Sequence, residues 1–225
     1  MSVVIRTTQV IDDPRFLDLL DAGERERAER RSDPHPFITA HALLRRLVAD
    51  ETGVDPRSLD FEKRCATCGT DRHGKPHVVG MRDIHVSVSY GERMAVAAVT
   101  TLGEVGVDIE DLESADFDGF GSVTLDASEM PHLADLDGDA LLAARAQIWA
   151  RKEAILKATG HGLVVDPSEV VVSAHDGPAA LLEWKAAQHL PGPMQVSDLD
   201  VGHTDHRAAV AVLTTQPLGV RIQHG

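Results

Sequence analysis

The chain has 225 residues, and its 36 acidic side chains outnumber 22 Lys and Arg, giving a formal charge of -14. This charge disfavours nonspecific binding to nucleic acid or to an anionic membrane, because both need a broad basic surface. There is no run of about 18 apolar residues and no basic start followed by an apolar signal segment. We expect a cytoplasmic protein with no membrane or nucleic-acid partner, in which any anionic ligand binds a local basic patch.

The first half predicts a strand, two helices and two further strands. Hydrophobic patterning places them at residues 2–11, 16–31, 36–51, 84–89 and 94–100. Acids and arginines interleave at the end of the first helix, which carries Arg25, Arg27, Arg30 and Arg31. Such a pattern is typical of a solvated, salt-bridged face, and phosphate binding by some of these arginines is an equally open alternative.

The only two cysteines form a single C-x2-C pair. Cys65 and Cys68 precede His73 and His77, and this spacing could hold a structural zinc ion. A second C-x2-C is missing, so an ordinary loop is favoured over zinc. The cysteines lie too close in sequence to form a disulfide framework, which agrees with a reducing compartment.

A predicted strand at residues 103–110 carries two carboxylates on one side. Asp108 and Glu110 alternate with Val107 and Ile109, which places the two acids about 7 Å apart along the chain. Carboxylates so placed repel each other unless a cation lies between them, and Mg2+ would suit. An acidic strand end without a ligand is an equally open interpretation.

The longest helical pattern runs from Leu141 to Lys157 and ends before Gly160. Its apolar arc has Glu153 and Lys157 on one rim, four residues apart, while Lys152 points into the middle of the arc. A lysine there must snorkel or meet an anion. Taken alone, Glu153 and Lys157 resemble an ordinary surface pair.

The second half predicts four strands that form one antiparallel sheet, at residues 169–174, 180–185, 194–199 and 207–214, and the tail after Gln216 carries no signal. An internal echo links residues 93–100 with 207–214, since both read as Arg followed by an Ala/Val run ending in Thr. The separation is about half the chain, which indicates two similar halves.

Two segments together carry a family pattern. Gly106-Val107-Asp108-Ile109-Glu110 is followed, some forty residues later, by the segment from Trp149 to Lys157. The pair resembles the signature of the surfactin-type 4'-phosphopantetheinyl transferases, G-(I/V)-D-x-E and W-x-x-K-E-(A/S)-x-x-K, and every defining position is filled. Gly74-Lys75-Pro76 is a supporting match, and the resemblance covers roughly residues 20–215.

The resemblance implies an α+β fold, a pseudo-dimer of two similar α/β-sandwich halves with the active site in the cleft between them. Residues 1–103 would form the half that binds coenzyme A phosphates. Residues 104–225 would form the half with the Mg2+ site and the catalytic helix. A monomer is expected, because one chain supplies both sides of the cleft.

The resemblance also implies the reaction and the roles of individual residues. The 4'-phosphopantetheine group would move from coenzyme A to a serine of an apo acyl or peptidyl carrier protein, releasing 3',5'-adenosine bisphosphate. Asp108, Glu110 and Glu153 would hold Mg2+, Glu153 would accept the serine proton, and Lys157 would stabilise the leaving group. The residues expected to bind coenzyme A are Lys75, Ser87, Lys152, Lys157, Arg25, Arg27, Arg30, Arg31, His41 and Arg45.

Two departures from the family pattern leave alternatives open. His41 stands where an arginine is common, and Val88 stands where a histidine often contacts coenzyme A. A noncatalytic, carrier-binding homologue with an impaired coenzyme A site is therefore the main alternative. A different Mg2+-dependent phosphoryl-transfer or hydrolytic enzyme would use the same carboxylates.

Overall fold

The computed structural model describes residues 2–64, 69–70 and 74–225, and the fold is α+β. The helices are α1 (Pro14–Leu17), α2 (Ala22–Glu29), α3 (His35–Thr52), α4 (Phe120–Thr124) and α5 (Gly138–Thr159). The strands are β1 (Ser2–Gln9), β2 (Phe61–Arg64), β3 (Lys75–Val78), β4 (His85–Tyr90), β5 (Met94–Thr100), β6 (Val105–Asp111), β7 (Val170–Val172), β8 (Leu181–Trp184), β9 (Met194–Leu199), β10 (His206–Leu213) and β11 (Gly219–His224). None of the helices described in these ranges is long and apolar enough to cross a membrane.

Two sheets pack face to face, each with a long helix on its outer side. The larger sheet has the order β11-β1-β5-β4-β3-β2, and the smaller has the order β6-β10-β9. Alternate residues such as Val3, Val96, Val107 and Val210 fill the layer between them. Helix α3 covers the other face of the larger sheet, and α5 covers the other face of the smaller. The strands β7 and β8 form a separate pair beside α5.

The two strands of the internal echo each have a neighbouring strand on both sides. Strand β5 lies between β1 and β4, and β10 lies between β6 and β9. Each is therefore an inner strand, and β5 is buried along its whole length. Their small, mainly Ala and Val side chains let a helix approach one face while the other sheet covers the opposite face.

The prediction of one helix over residues 16–31 is wrong, because the chain forms two short helices. A capping box starts α2: Glu24 N–H donates to Asp21 Oδ1 at 2.7 Å, and Asp21 N–H donates to Glu24 Oε2 at 3.1 Å. This D-x-x-E signal lies within a strongly charged pattern that also fits one continuous helix.

The tail after Gln216, which carries no sequence signal, also forms a strand. Strand β11 pairs in parallel with β1, with Gly219 opposite Ser2, and forms an edge of the larger sheet. Its apolar signal is short, and its pairing partner lies about 217 positions away in sequence. The predicted single sheet of the second half is likewise divided, since β9 and β10 join β6 and not β7.

A buried charge network joins α2 to α3. Glu24 is 2% exposed and accepts hydrogen bonds from Arg45 Nε and His41 Nδ1, both at 2.8 Å. Arg45 also donates to Asp21 at 2.8 Å and to the Leu59 carbonyl at 2.7 Å. Burial alone would raise the pKa of Glu24, but the His41 hydrogen bond and the charges of His41 and Arg45 lower it to about 2. Because burial lowers the pKa of His41 itself, the permanent charge of Arg45 dominates near neutral pH.

We predict that Glu24→Gln destabilises the protein at pH 7 by on the order of 3 kcal/mol. The folded pKa is about 2 and the ordinary value is 4.5, so this stabilisation is complete above pH 4.5 and is lost as the pH falls toward 2. Urea unfolding at several pH values would measure it, and the gap between wild type and variant should narrow below pH 4.5. Glu26→Gln is the matched control, since Glu26 is an exposed carboxylate on the same helix that pairs with Arg30. Equal losses in the two variants would contradict the prediction.

Candidate active site

A cleft of about 530 Å3 separates the two long helices, a volume typical of small-molecule sites. One side comes from the loop after α2 and from α3, β2, β3 and β4, and the other comes from α5 and the turn that follows it. The lining residues are Arg31, Phe37, His41, Lys63, Gly74, Lys75, Pro76, Ser87, Val88, Tyr90, Glu153, Leu156, Lys157, Gly160, His161, Gly162, Leu163 and Val164.

A glycine allows α5 to lie directly on β6. A Cβ atom at Gly106 would be 1.9 Å from the Ala154 carbonyl oxygen and 2.4 Å from the Ala158 amide nitrogen. Both neighbours are backbone atoms and cannot rotate away. This close approach brings Lys157 of the helix to Asp108 of the strand.

Lys157 forms the ionic centre of the site. Its amine lies 2.5 Å from Asp108 Oδ1 and 2.8 Å from Ser89 Oγ, and the Ser89 hydroxyl donates to the same Asp108 oxygen at 2.7 Å. Burial would lower the pKa of Lys157, but Asp108 and Glu153 raise it. The amine is therefore charged at neutral pH, and Ser89 ties both groups to β4.

The carboxylates facing α5 crowd one another. Asp108 and Glu110 project from the same face of β6, as the alternation predicts, and Glu153 approaches from the helix. Burial and the charge of Asp108 raise the pKa of Glu110 to about 8. The same two causes raise the pKa of Glu153 to about 7. The cluster is thus short of positive charge, even with Lys157 beside it.

The chemistry of this donor set fits a hard dication. Asp108 Oδ2 and Glu153 Oε1 are buried and have no hydrogen-bond partner. Carboxylate oxygens are what Mg2+ prefers, and a dication would relieve their mutual repulsion. Across the described ranges, however, no three His, Cys, Asp or Glu side chains are arranged to hold a metal ion. Lys157 holds Asp108 instead, so the carboxylates would have to close around an ion.

Lys152 and Arg45 have structural contacts, which corrects the expectation that they bind coenzyme A. Lys152 is fully buried, 2.5 Å from Glu129 Oε2 and within hydrogen-bond distance of the Thr124 and Pro167 carbonyls. Arg45 is fully buried in the network with Glu24. Of the two alternatives for Lys152, a snorkelling side chain or an anionic partner, the structure shows the second, and the partner is the side chain of Glu129.

Lys75 and Ser87 line the cleft and also bond to its walls. Lys75 is 8% exposed, and its amine donates to the carbonyls of Val105 at 2.5 Å and Lys157 at 3.2 Å, with Glu104 Oε2 at 3.0 Å. It therefore caps the C-terminal end of α5 and is not free to bind a phosphate. Ser87 Oγ accepts the Val107 amide hydrogen at 3.0 Å, which leaves its own proton available.

Of the four arginines expected to bind coenzyme A, two lie away from the cleft and two lie at the cleft or at a recess beside it. Arg25 and Arg30 are exposed and contact their own surroundings, the Leu17 carbonyl and Glu26 respectively. Arg31 lies 4.7 Å from the centre of the Phe37 ring, at the wall of the cleft. Arg27 lies 5.9 Å from the same ring and lines an adjoining recess of about 270 Å3.

Sequence reasoning missed Lys63, which lines both the cleft and the recess. Burial, followed by the charges of Arg27 and Arg31, lowers its pKa. The Nε atom of Arg27 is buried without a partner. These cations repel one another at this end of the cleft, where Glu24 and Glu62 also line the recess. A single lysine in a short strand carries no pattern from which this role could have been found.

The proposed zinc ligands Cys65, Cys68 and His73 lie outside the described residues. Nothing in the described part of the chain supports a zinc site.

Comparisons with known proteins agree with the motif pair. Residues 104–211 match a model of the 4'-phosphopantetheinyl transferase superfamily. A 4'-phosphopantetheinyl transferase of Bacillus subtilis is 26% identical over 68% of this chain and 65% of its own length. The enzyme Sfp of Bacillus subtilis strain 168 is 22% identical over 85% of this chain and 83% of its own. Among solved structures, the holo-[acyl-carrier-protein] synthase of Thermotoga maritima matches with a TM-score of 0.40 and 24% identity, over 51% of this chain and 64% of that one.

The chain is therefore similar to members of the 4'-phosphopantetheinyl transferase superfamily, through the family match over residues 104–211 and through the relatives above. Within it, similarity to Sfp and to the Bacillus pumilus transferase psf-1, at 26% identity over 74% of this chain, supports the surfactin-type branch. This chain covers 65% of the length of the Bacillus subtilis transferase and 64% of the length of a putative Synechocystis transferase.

We predict that Gly106→Ala destabilises the protein by about 1–3 kcal/mol or more, because the added methyl group meets backbone atoms of α5. Urea unfolding would measure the loss. Gly121→Ala is the matched control, since a Cβ there would lie 3.6 Å from Met130 Cε, an ordinary contact. An equally small effect of both substitutions would show that α5 does not rest on Gly106.

Proposed function

We propose that this protein transfers the 4'-phosphopantetheine group from coenzyme A to a serine hydroxyl of an apo acyl or peptidyl carrier protein. One observation carries the proposal. The family residues Asp108, Glu110, Glu153 and Lys157 converge beside the cleft, and Glu153 and Lys157 line it. Arg27, Arg31 and Lys63, which form no ion pair with any residue in the described ranges, gather at another part. A substrate with a pyrophosphate and a separate 3'-phosphate matches both parts.

The carboxylates Asp108, Glu110 and Glu153 would hold Mg2+. When bound, Mg2+ neutralises charge on the pyrophosphate as the phosphoanhydride bond breaks. The protein's own contribution is to hold three acids on two rigid elements, β6 and α5, at a spacing that their mutual repulsion would otherwise disfavour.

In the transfer step, the serine oxygen forms a bond to the phosphorus that carries pantetheine, and the bond from that phosphorus to the leaving oxygen breaks. Glu153 takes the serine proton, directly or through water, and the leaving group is 3',5'-adenosine bisphosphate. Lys157 is charged and lies one helical turn from Glu153, so it can stabilise negative charge on the leaving oxygen.

The cationic end of the cleft would bind the remaining phosphate of coenzyme A. Lys63, Arg27 and Arg31 supply charge there, and they offset the two family departures at His41 and Val88. The Nδ1 atom of His41 forms a hydrogen bond with Glu24, so His41 presents mainly the edge of its ring to the cleft. Ser87 is placed to donate a hydrogen bond to a phosphate oxygen.

We further propose that residues 1–103 and 104–225 are two similar halves of a pseudo-dimer. The corresponding positions of α3 and α5 and of β5 and β10 support this duplication. Strand β11 is the exception, because it returns to the sheet of the first half. The protein would act as a cytoplasmic monomer, since both sides of the cleft come from one chain.

The proposal predicts that apo carrier proteins, one acyl and one peptidyl, gain the mass of one phosphopantetheine group when incubated with this protein, coenzyme A and Mg2+. Intact mass spectrometry measures the gain, which should disappear with a chelator. Glu153→Gln should lower the rate by at least about a hundredfold, since it removes both a ligand and the proton acceptor.

No gain on any carrier, with folded protein and saturating coenzyme A, would contradict the proposal. Carrier binding without Mg2+ would then favour the noncatalytic homologue. Cleavage of coenzyme A without a carrier would favour a hydrolytic enzyme.

We predict that Lys63→Met raises KM for coenzyme A about tenfold and leaves kcat nearly unchanged, because a charge-assisted contact to the 3'-phosphate is lost. With 3'-dephospho-coenzyme A, variant and wild type should have similar KM values. Lys185→Met is the control, since Lys185 pairs with Asp126 and does not line the cleft. An equal rise in KM for both substrates would place Lys63 away from the 3'-phosphate.

A further inference from the structure

Trp149 contacts the candidate metal site through a single hydrogen bond. Its indole N–H donates to Glu110 Oε1 at 2.9 Å, from α5 to β6. The ring is partly buried and packs against the core between α5 and the small sheet. Core packing therefore sets the direction of this N–H, and the carboxylate meets a donor whose position is fixed.

The other carboxylate oxygen of Glu110, Oε2, is held by a donor that a second acceptor shares. Ser114 Oγ lies 2.6 Å from Glu110 Oε2 and 2.7 Å from the Asp111 carbonyl oxygen. A hydroxyl has one proton, so Ser114 can donate to only one of these acceptors at a time. Trp149 is the donor committed to Glu110.

The donors to Glu110 are neutral, in contrast to the amine that holds Asp108. Among the described residues, no Lys or Arg forms an ion pair with Glu110. A neutral donor orients a carboxylate without cancelling its charge, whereas a lysine competes with a metal ion for it. The fixed indole N–H therefore sets the direction of the Glu110 carboxyl group beside Asp108.

We propose that Trp149 is a positioning residue, which holds Glu110 toward Asp108 so that the two carboxylates can bind a divalent cation together. This inference rests on the proposed function, because it concerns the Mg2+ site of that reaction. The indole N–H acts on the ligand and not on the substrate. Its loss should therefore weaken Mg2+ binding and leave coenzyme A binding at saturating Mg2+ unchanged.

The chain supplies a matched control in its only other tryptophan. Trp184 packs against the same core, and its indole N–H donates to the Gln188 carbonyl at 2.6 Å. Replacing either tryptophan with Phe keeps an aromatic ring and removes one N–H. Only Trp149→Phe removes a donor from a carboxylate of the site.

The test is calorimetric titration with MgCl2 in the presence of 3',5'-adenosine bisphosphate, which the proposed reaction releases, so that no turnover occurs. Trp149→Phe should raise the Mg2+ dissociation constant about tenfold or more, and Trp184→Phe should leave it unchanged. KM for coenzyme A at saturating Mg2+ should stay within about twofold of wild type in both variants. Emission of Trp149 in the Trp184→Phe protein should change on adding Mg2+, and Glu110→Gln should abolish that change.

Equal Mg2+ affinity of Trp149→Phe and wild type would overturn the positioning role while leaving the proposed reaction intact. Absence of Mg2+ binding by the wild type would instead overturn the metal site itself. If Trp149→Phe is poorly folded, the emission titration of the Trp184→Phe protein decides. An emission of Trp149 that does not respond to Mg2+, although calorimetry shows that Mg2+ binds, would reject the proposal.

Discussion

The close packing of α5 on β6 is the constraint on which the site depends. The missing side chain at Gly106 lets the helix backbone touch the strand, and this brings Lys157 and Asp108 within 2.5 Å. The same approach carries Trp149 to Glu110. A larger residue at position 106 would separate the two elements and would move Asp108 and Glu110 of the strand away from Glu153 and Lys157 of the helix.

The cleft is electrostatically unbalanced in two opposite ways. Acids crowd one part, where the pKa values of Glu110 and Glu153 rise to about 8 and about 7. Cations crowd another, where the pKa of Lys63 falls. Each imbalance costs stability in the unliganded protein, and a ligand that combines a dication with phosphates would relieve both. These charge imbalances are confined to the site. Elsewhere a buried acid such as Glu24 is paired with an opposite charge, that of Arg45.

Charged residues of similar appearance in the sequence have different fates in the fold. Lys152 and Lys157 lie in the same motif, yet Lys152 forms a buried ion pair with Glu129 and Lys157 forms an ion pair with Asp108. Arg31 lies just after α2 and Arg45 lies in α3, yet Arg45 is buried and Arg31 lines the cleft. Local periodicity sets the side of a helix on which a residue lies, but not what the rest of the chain brings to that side.

The sequence by itself determined the inner strands, the two long helices and the motif residues, because hydrophobic periodicity and glycine positions are local properties. Only the tertiary structure decided that β11 pairs with β1, that Lys75 caps α5 and that Lys63 joins Arg27 and Arg31. These contacts connect segments far apart in the chain. Their energies depend on distance and burial in three dimensions, and neither quantity can be read from the order of residues.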